Sequence, residues 1–207
     1  MIRFTKKEVM RKIMVLDCEF NQPSRKCIQI GAAIYDPRTA SCHGSLDLYV
    51  NPGEPITPEI TALTGITDRD VHNAPDIVEA WAILKDFHKQ HKAFRNPLVW
   101  GSGVRNDSSA LYEEYRTALV CRDGDFATSI VEDENFMGWR VIDAKTLYVS
   151  IQLFEDGQYA GGLADCMKRL GLKFEGESHR ALTDARNTFT IWYHLTRKMH
   201  DGFKAKK

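Results

Sequence analysis

Ile13-Met14-Val15-Leu16-Asp17-Cys18-Glu19 is the stretch on which the fold turns. Four apolar residues in a row make a short buried strand, and that strand ends on two carboxylates two positions apart. Side chains at i and i+2 share one face of a strand, so Asp17 and Glu19 stand side by side. Two like charges held together away from water raise each other's pKa or destabilise the fold. A hard divalent cation, Mg²⁺ or Mn²⁺, removes that conflict because it takes carboxylate oxygens as ligands. The alternative is a strand whose end simply emerges into solvent.

Working outward, Cys27 to Tyr35 and Ser45 to Val50 read as two further strands, and Asp36-Pro37-Arg38-Thr39 supplies the turn of an antiparallel meander. Thr57-Pro58-Glu59 predicts a short helix stopping near Thr64-Gly65. Pro75 opens a longer one, with Ile77, Val78, Trp81, Leu84 and Phe87 as its buried stripe. Asn96-Pro97 breaks that helix ahead of a short strand, Leu98-Val99-Trp100, and a helix follows over about 106–120. Arg140-Val141-Ile142 reads as a fifth strand. Helices are expected over about 144–154, 163–170 and 181–199, and the acidic stretch 122–138 reads as a loop or small insertion. The expected fold is α/β: a mixed five-stranded sheet, three antiparallel strands and then parallel ones, flanked by helices.

A chain of 207 residues suffices for one α/β domain and is short for two. The division expected is a basic N-terminal extension over 1–12, a single domain over 13–200 and a basic tail over 201–207. Lys+Arg and Asp+Glu both number 28, so no global field announces a polyanionic partner, and phosphate contacts must be local. Five cysteines, odd in number and without paired spacing, suit a reducing compartment, and no apolar run approaches a membrane span. A cytoplasmic location follows as the expectation.

Two more acids stand out by position. Asp107 begins the helix after Leu98-Val99-Trp100, at the carboxyl end of that strand, where α/β sheets place ligands; it is equally suited to cap the helix. Asp184 lies among Leu182, Ala185 and Phe189 in the last helix and needs a partner, either an arginine such as Arg180 or Arg186, or a metal. His179 precedes it by five residues, in a loop context. That spacing is not one helical face, and suits a histidine leaning over a site whose floor the helix provides.

Taken together, Asp17-x-Glu19, Asp107 with Leu111, and His179-x4-Asp184 resemble the DEDDh (DnaQ-like) 3′→5′ exonuclease superfamily of the RNase H-like fold. Leu63-Thr64-Gly65-Ile66-Thr67 and the run from Asp184 to Thr188 occupy matching places, so the resemblance covers about 13–197. Pro23, Tyr49-Val50-Asn51-Pro52, Trp100-Gly101-Ser102 and Leu170-Gly171-Leu172 are most similar to the exoribonuclease branch that trims short or structured RNAs. Asn106, in place of an aromatic residue, and Phe20 depart from that branch. The resemblance implies two Mg²⁺ or Mn²⁺ ions held by Asp17, Glu19, Asp107 and Asp184. It also implies that His179 is a general base acting on the attacking water, and that nucleoside 5′-monophosphates are the products. Phe20, Leu63 and Ile66 are the candidate contacts to terminal bases, with core packing as the alternative. The implied partners are single-stranded 3′ ends, RNA in preference to DNA. A DNA-proofreading subunit, or a module that binds nucleic-acid ends without cleaving them, is the competing reading.

Overall fold

The computed structural model describes residues 12–101, 103, 106–123, 135–155, 157–158 and 161–204. Strands β1 (Ile13–Phe20), β2 (Cys27–Asp36) and β3 (Ser41–Tyr49) form the meander, and β4 (Leu98–Val99) and β5 (Ile142–Asp143) extend it in parallel. The sheet order is β3-β2-β1-β4-β5. β1 therefore sits at the centre, with an antiparallel neighbour on one side and a parallel one on the other. Lys12 makes an isolated parallel bridge to Ala93 just ahead of β1. β3 starts four residues earlier than the apolar pattern indicated, because Ser41 and Cys42 pair with Asp36 and Tyr35 although their side chains are exposed.

Alternation along β1 sorts its residues between two layers. Met14, Leu16 and Cys18 face α3 (Ile77–His91) and α4 (Asp107–Asp123), in a cluster with Trp81, Leu84, Leu111 and Tyr115. The Trp81 and Tyr115 rings stack at 4.8 Å, a geometry worth on the order of 1 kcal/mol beyond the area it buries. Ile13 and Val15 face the other way, against Ala185 and Phe189 of the last helix, α7 (Ala181–Lys204). Asp17 and Glu19 continue this second face.

The remaining helices are α1 (Pro58–Thr64), α2 (Asp68–Val71), α5 (Ala144–Glu155) and α6 (Leu163–Arg169). Asp76 caps α3, accepting the N–H groups of Val78 and Glu79, so Pro75 precedes the cap and is not the first helical residue. α7 runs through Lys204, so the first part of the expected 201–207 tail is helical. Of the 122–138 stretch, residues 124–134 lie outside the described residues, as do 1–11 and 205–207. No helix among the described residues is long and apolar enough to cross a membrane.

Candidate active site

Asp17 pairs with Gly31 and Glu19 with Gln29 across β1 and β2. Gly31 offers no side chain, and the first turn of α7 lies directly on its backbone: a methyl group there would meet the Ala181 carbonyl carbon at 2.1 Å. Gln29 is fully buried beside it. Its Oε1 accepts the N–H of Ala181 at 3.1 Å, while its Nε2 donates to Asp47 at 2.7 Å. A glycine and a buried amide thus seat the start of α7 against β2. One turn further on, Asp184 comes up beside the carboxylates of β1.

Glu19, His179 and Asp184 each place one ligand-competent atom within 4.8 Å of the others. Asp17 lies inside the same electrostatic neighbourhood, because the charges of Asp107, Glu19 and Asp184 all act on it. Asp107 enters from the other layer, as the first residue of α4. The capping alternative for it falls away: Asn106 accepts the N–H of Ser109 at 3.1 Å and fills that role. Asp143 is a further acid at the same sheet edge, but its Oδ1 caps α5 and accepts the Gly101 N–H at 3.0 Å, so it is spent on structure.

The partner question for Asp184 is answered in part. Its Oδ2 accepts the His179 N–H at 2.9 Å, and its Oδ1 is buried without a hydrogen-bond partner among the described residues. The two arginines are engaged elsewhere, Arg180 with the Tyr49 hydroxyl at 2.7 Å and Arg186 with Ser45. His179 has φ of 61°, a left-handed conformation that costs a non-glycine residue about 1 kcal/mol or more. The bond from its N–H to Asp184 and the anchoring of Arg180 and Ala181 hold it there, with its ring exposed at the rim.

Electrostatically the cluster is under stress. Burial, then repulsion from Asp107, Glu19 and Asp184, pushes the Asp17 carboxyl well above the ordinary carboxylate range. Burial and the charges of Asp184 and Asp107 push Glu19 up to about 7, against a weaker downward pull from Arg180. Burial raises Asp107, offset in part by the Arg25 guanidinium, and burial also raises Asp184. The orphaned buried Asp184 oxygen and the Glu19 carboxylate, with the His179 ring in reach, fit a hard divalent cation, and Asp17 and Asp107 are acids whose charges act on the same cluster.

Of the expected base contacts, Ile66 is corrected: it is 0% exposed, packed with Ile28, Ile56, Ile60 and Val71, and belongs to the core. Leu63 is 50% exposed on α1. Phe20 is partly buried against the core, and the Arg25 guanidinium lies over its ring, 5.7 Å from the centroid. Gln29 and Gly31 escaped the sequence reading. The signal for them was a polar side chain and a missing one inside an otherwise apolar strand.

The family model described as Exonuclease, RNase_T, matches residues 14–192. The chain is 31% identical over 153 residues to the uncharacterized exonuclease CP81 of Escherichia phage 186, covering 70% of each protein. It is 25% identical over 169 residues to RNA exonuclease 4 of Mycosarcoma maydis, covering 77% of this chain and 38% of that protein's length. Among solved structures, the nuclease domain of 3′hExo, a DEDDh family member bound to rAMP, superposes with a TM-score of 0.69 at 15% identity, covering 92% of this chain and 94% of that one. The mixed sheet of three antiparallel and two parallel strands is that of the RNase H-like exonucleases, and the chain belongs to the RNase_T exonuclease family.

Proposed function

We propose that residues 13–200 form a single 3′→5′ exonuclease domain that removes nucleoside 5′-monophosphates from single-stranded 3′ ends, RNA in preference to DNA, in the cytoplasm. The observation that carries the reading is the convergence of Glu19, His179 and Asp184 within 4.8 Å, with a buried Asp184 oxygen that has no hydrogen-bond partner among the described residues. Asp17, Glu19, Asp107 and Asp184 would hold Mg²⁺ or Mn²⁺. Once bound, the two ions supply the positive charge that activates water and offsets the charge developing on the phosphate. A module that only binds ends has no use for four acids under mutual repulsion.

The chain's own residues divide the remaining work. His179 accepts the proton of the attacking water, and its exposure at the rim leaves the ring open to return that proton to solvent. Leu63 and the outer edge of Phe20 offer sequence-indifferent faces to the terminal base. The likeness to RNA exonuclease 4 and the Leu170-Gly171-Leu172 and Trp100-Gly101-Ser102 surroundings support RNA, although Ser102 lies outside the described residues. Five free cysteines support a reducing compartment.

Digestion of matched 5′-labelled RNA and DNA oligonucleotides, with Mg²⁺, Mn²⁺ or EDTA, tests this directly. A ladder shortening from the 3′ end, abolished by EDTA and by a 3′-phosphate, is the expected result. Cleavage of a circular substrate would replace the reading with an endonuclease, and faster loss of DNA would overturn the RNA preference alone. His179→Ala should lower kcat by about 10²–10⁴-fold, the usual contribution of a positioned base. It should leave KM and the rise in Tm on adding Mn²⁺ close to wild type. Loss of the metal-induced rise would make His179 a ligand and not a base.

A further inference from the structure

The turn between β1 and β2 carries an arginine where turn chemistry calls for glycine or asparagine. Arg25 has φ of 60°, the left-handed region. The turn is built firmly around it. The Arg25 N–H donates to the Asn21 carbonyl at 2.9 Å, and the Asn21 N–H donates to the Lys26 carbonyl at 2.8 Å. The buried Asn21 side chain ties the turn to the next loop, donating to Glu54 at 2.8 Å and to the Pro55 carbonyl at 3.0 Å, and accepting the Thr57 N–H at 3.0 Å. Lys26 is committed to the same loop, through Glu54 at 3.2 Å and the Pro52 carbonyl at 2.9 Å.

The Arg25 side chain lies toward Phe20 and Asp107. Its guanidinium lies over the Phe20 ring, directly after Glu19, and its charge acts on Asp107. It also lines a surface cavity of about 640 Å³ whose other walls include Lys26, Asn51-Pro52-Gly53 and the acids Asp76, Glu113 and Glu114. A backbone conformation disfavoured for arginine, kept in a turn this tightly fastened, argues that the side chain and not the turn is what matters at this position. A planar cation held on an aromatic face, at the border between a carboxylate cluster and an open cavity, has the chemistry of a phosphodiester clamp.

We infer that Arg25, stacked on Phe20, binds a backbone phosphate of the incoming single strand beside the scissile one. This rests on the exonuclease reading. It is consistent with zero net charge, since the chain must attract a polyanion through a few placed cations.

The test is binding, not turnover: fluorescence anisotropy of a 5′-fluorescein single-stranded RNA hexamer in EDTA, over a salt series. Arg25→Gly suits the positive φ, so the turn and Tm should be kept, while Kd rises about tenfold. The slope of log Kd against log salt should fall by about 0.7, the contribution of one single-strand phosphate. Arg25→Lys should restore the slope but only part of the affinity, because the fork and the stacked plane are lost. An unchanged slope in Arg25→Gly, or a Kd loss that tracks a fall in Tm, overturns the clamp and leaves the exonuclease reading intact. Absence of wild-type binding in EDTA also overturns the clamp alone, because the exonuclease reading is tested apart from it, by 3′-end digestion with Mn²⁺.

Discussion

Asp17→Asn is expected to abolish hydrolysis, with kcat reduced by at least about 10³-fold, and at the same time to raise the melting temperature of the metal-free protein. The two effects share one cause. Asp17 is the acid most burdened by its surroundings, with burial first and then the charges of Asp107, Glu19 and Asp184 all opposing its ionisation. Removing one charge from the cluster removes repulsion from the apo fold, and it removes charge that a bound cation needs. Several kcal/mol of transition-state stabilisation depend on that cation, and each 1.36 kcal/mol is a factor of about ten in rate.

The same logic fixes a pH dependence. Glu19 rises from an ordinary 4.5 to about 7, and Asp17, Asp107 and Asp184 also shift upward. These are acids with folded pKa values above their unfolded ones, so between about pH 4 and 7 the folded state binds more protons than the unfolded state. In EDTA, wild-type stability should therefore fall as pH rises through that window, and Asp17→Asn should flatten the decline. At neutral pH, Mg²⁺ or Mn²⁺ at about 100 times its Kd should return roughly 2.7 kcal/mol to the wild type and much less to the variant. Thermal melts across pH, with and without ion, read all of this. A variant with near-normal turnover, or a wild type indifferent to metal, would sink the assignment of Asp17 as a ligand.

The carboxylates were legible because each one breaks a local rule. Asp17 and Glu19 interrupt an apolar strand, and Asp184 interrupts an apolar helix face, so each needs an explanation that charge alone cannot supply. The devices that bring them together left a weaker signal, a glycine and one amide inside an apolar strand. Gly31 is an unremarkable small residue in a strand, and Gln29 one polar residue among apolar ones. What each does depends on Ala181, 152 positions along the chain from Gln29. Short elements escaped for a different reason. α2 is a single turn, held by the Asp70 carboxylate, which accepts both the N–H and the hydroxyl of Thr67, and one turn is too short to show periodicity. Ile66 was read as either a base contact or a core residue, because an apolar side chain serves both, and its burial decides for the core. Its apolar partners Ile60 and Val71 are recognisable as a cluster only once α1 and α2 fold over Ile28.

Gly31→Ala is expected to disable the enzyme without touching a single ligand. A methyl group at this position would lie 2.1 Å from the carbonyl carbon of Ala181 and the nitrogen of Leu182, and 2.4 Å from the Ala181 oxygen. All three are backbone atoms, so no rotamer change relieves the contact and α7 itself must lift. Overpacking of this kind costs roughly 1–3 kcal/mol, which for a chain of this size is a fall in Tm of about 2–12 °C. The catalytic consequence should exceed the structural one. Lifting the first turn of α7 draws Asp184 away from Glu19 and Asp17, breaks the Gln29 bond to Ala181 and unseats the His179 backbone that Asp184 holds. A misplacement of about 1 Å can cost 10²-fold in rate, so kcat should drop at least that far while the protein remains folded by circular dichroism, and metal binding should weaken in parallel. Gly44→Ala is the comparison. Its added methyl group also meets atoms closer than 3 Å, but they belong to the His91 ring, a side chain at the partly exposed end of α3 that can swing aside. That variant should keep near-normal activity. Equal activity losses in the two would show that crowding against the sheet in general, and not the seating of α7 on Gly31, is what the site cannot tolerate.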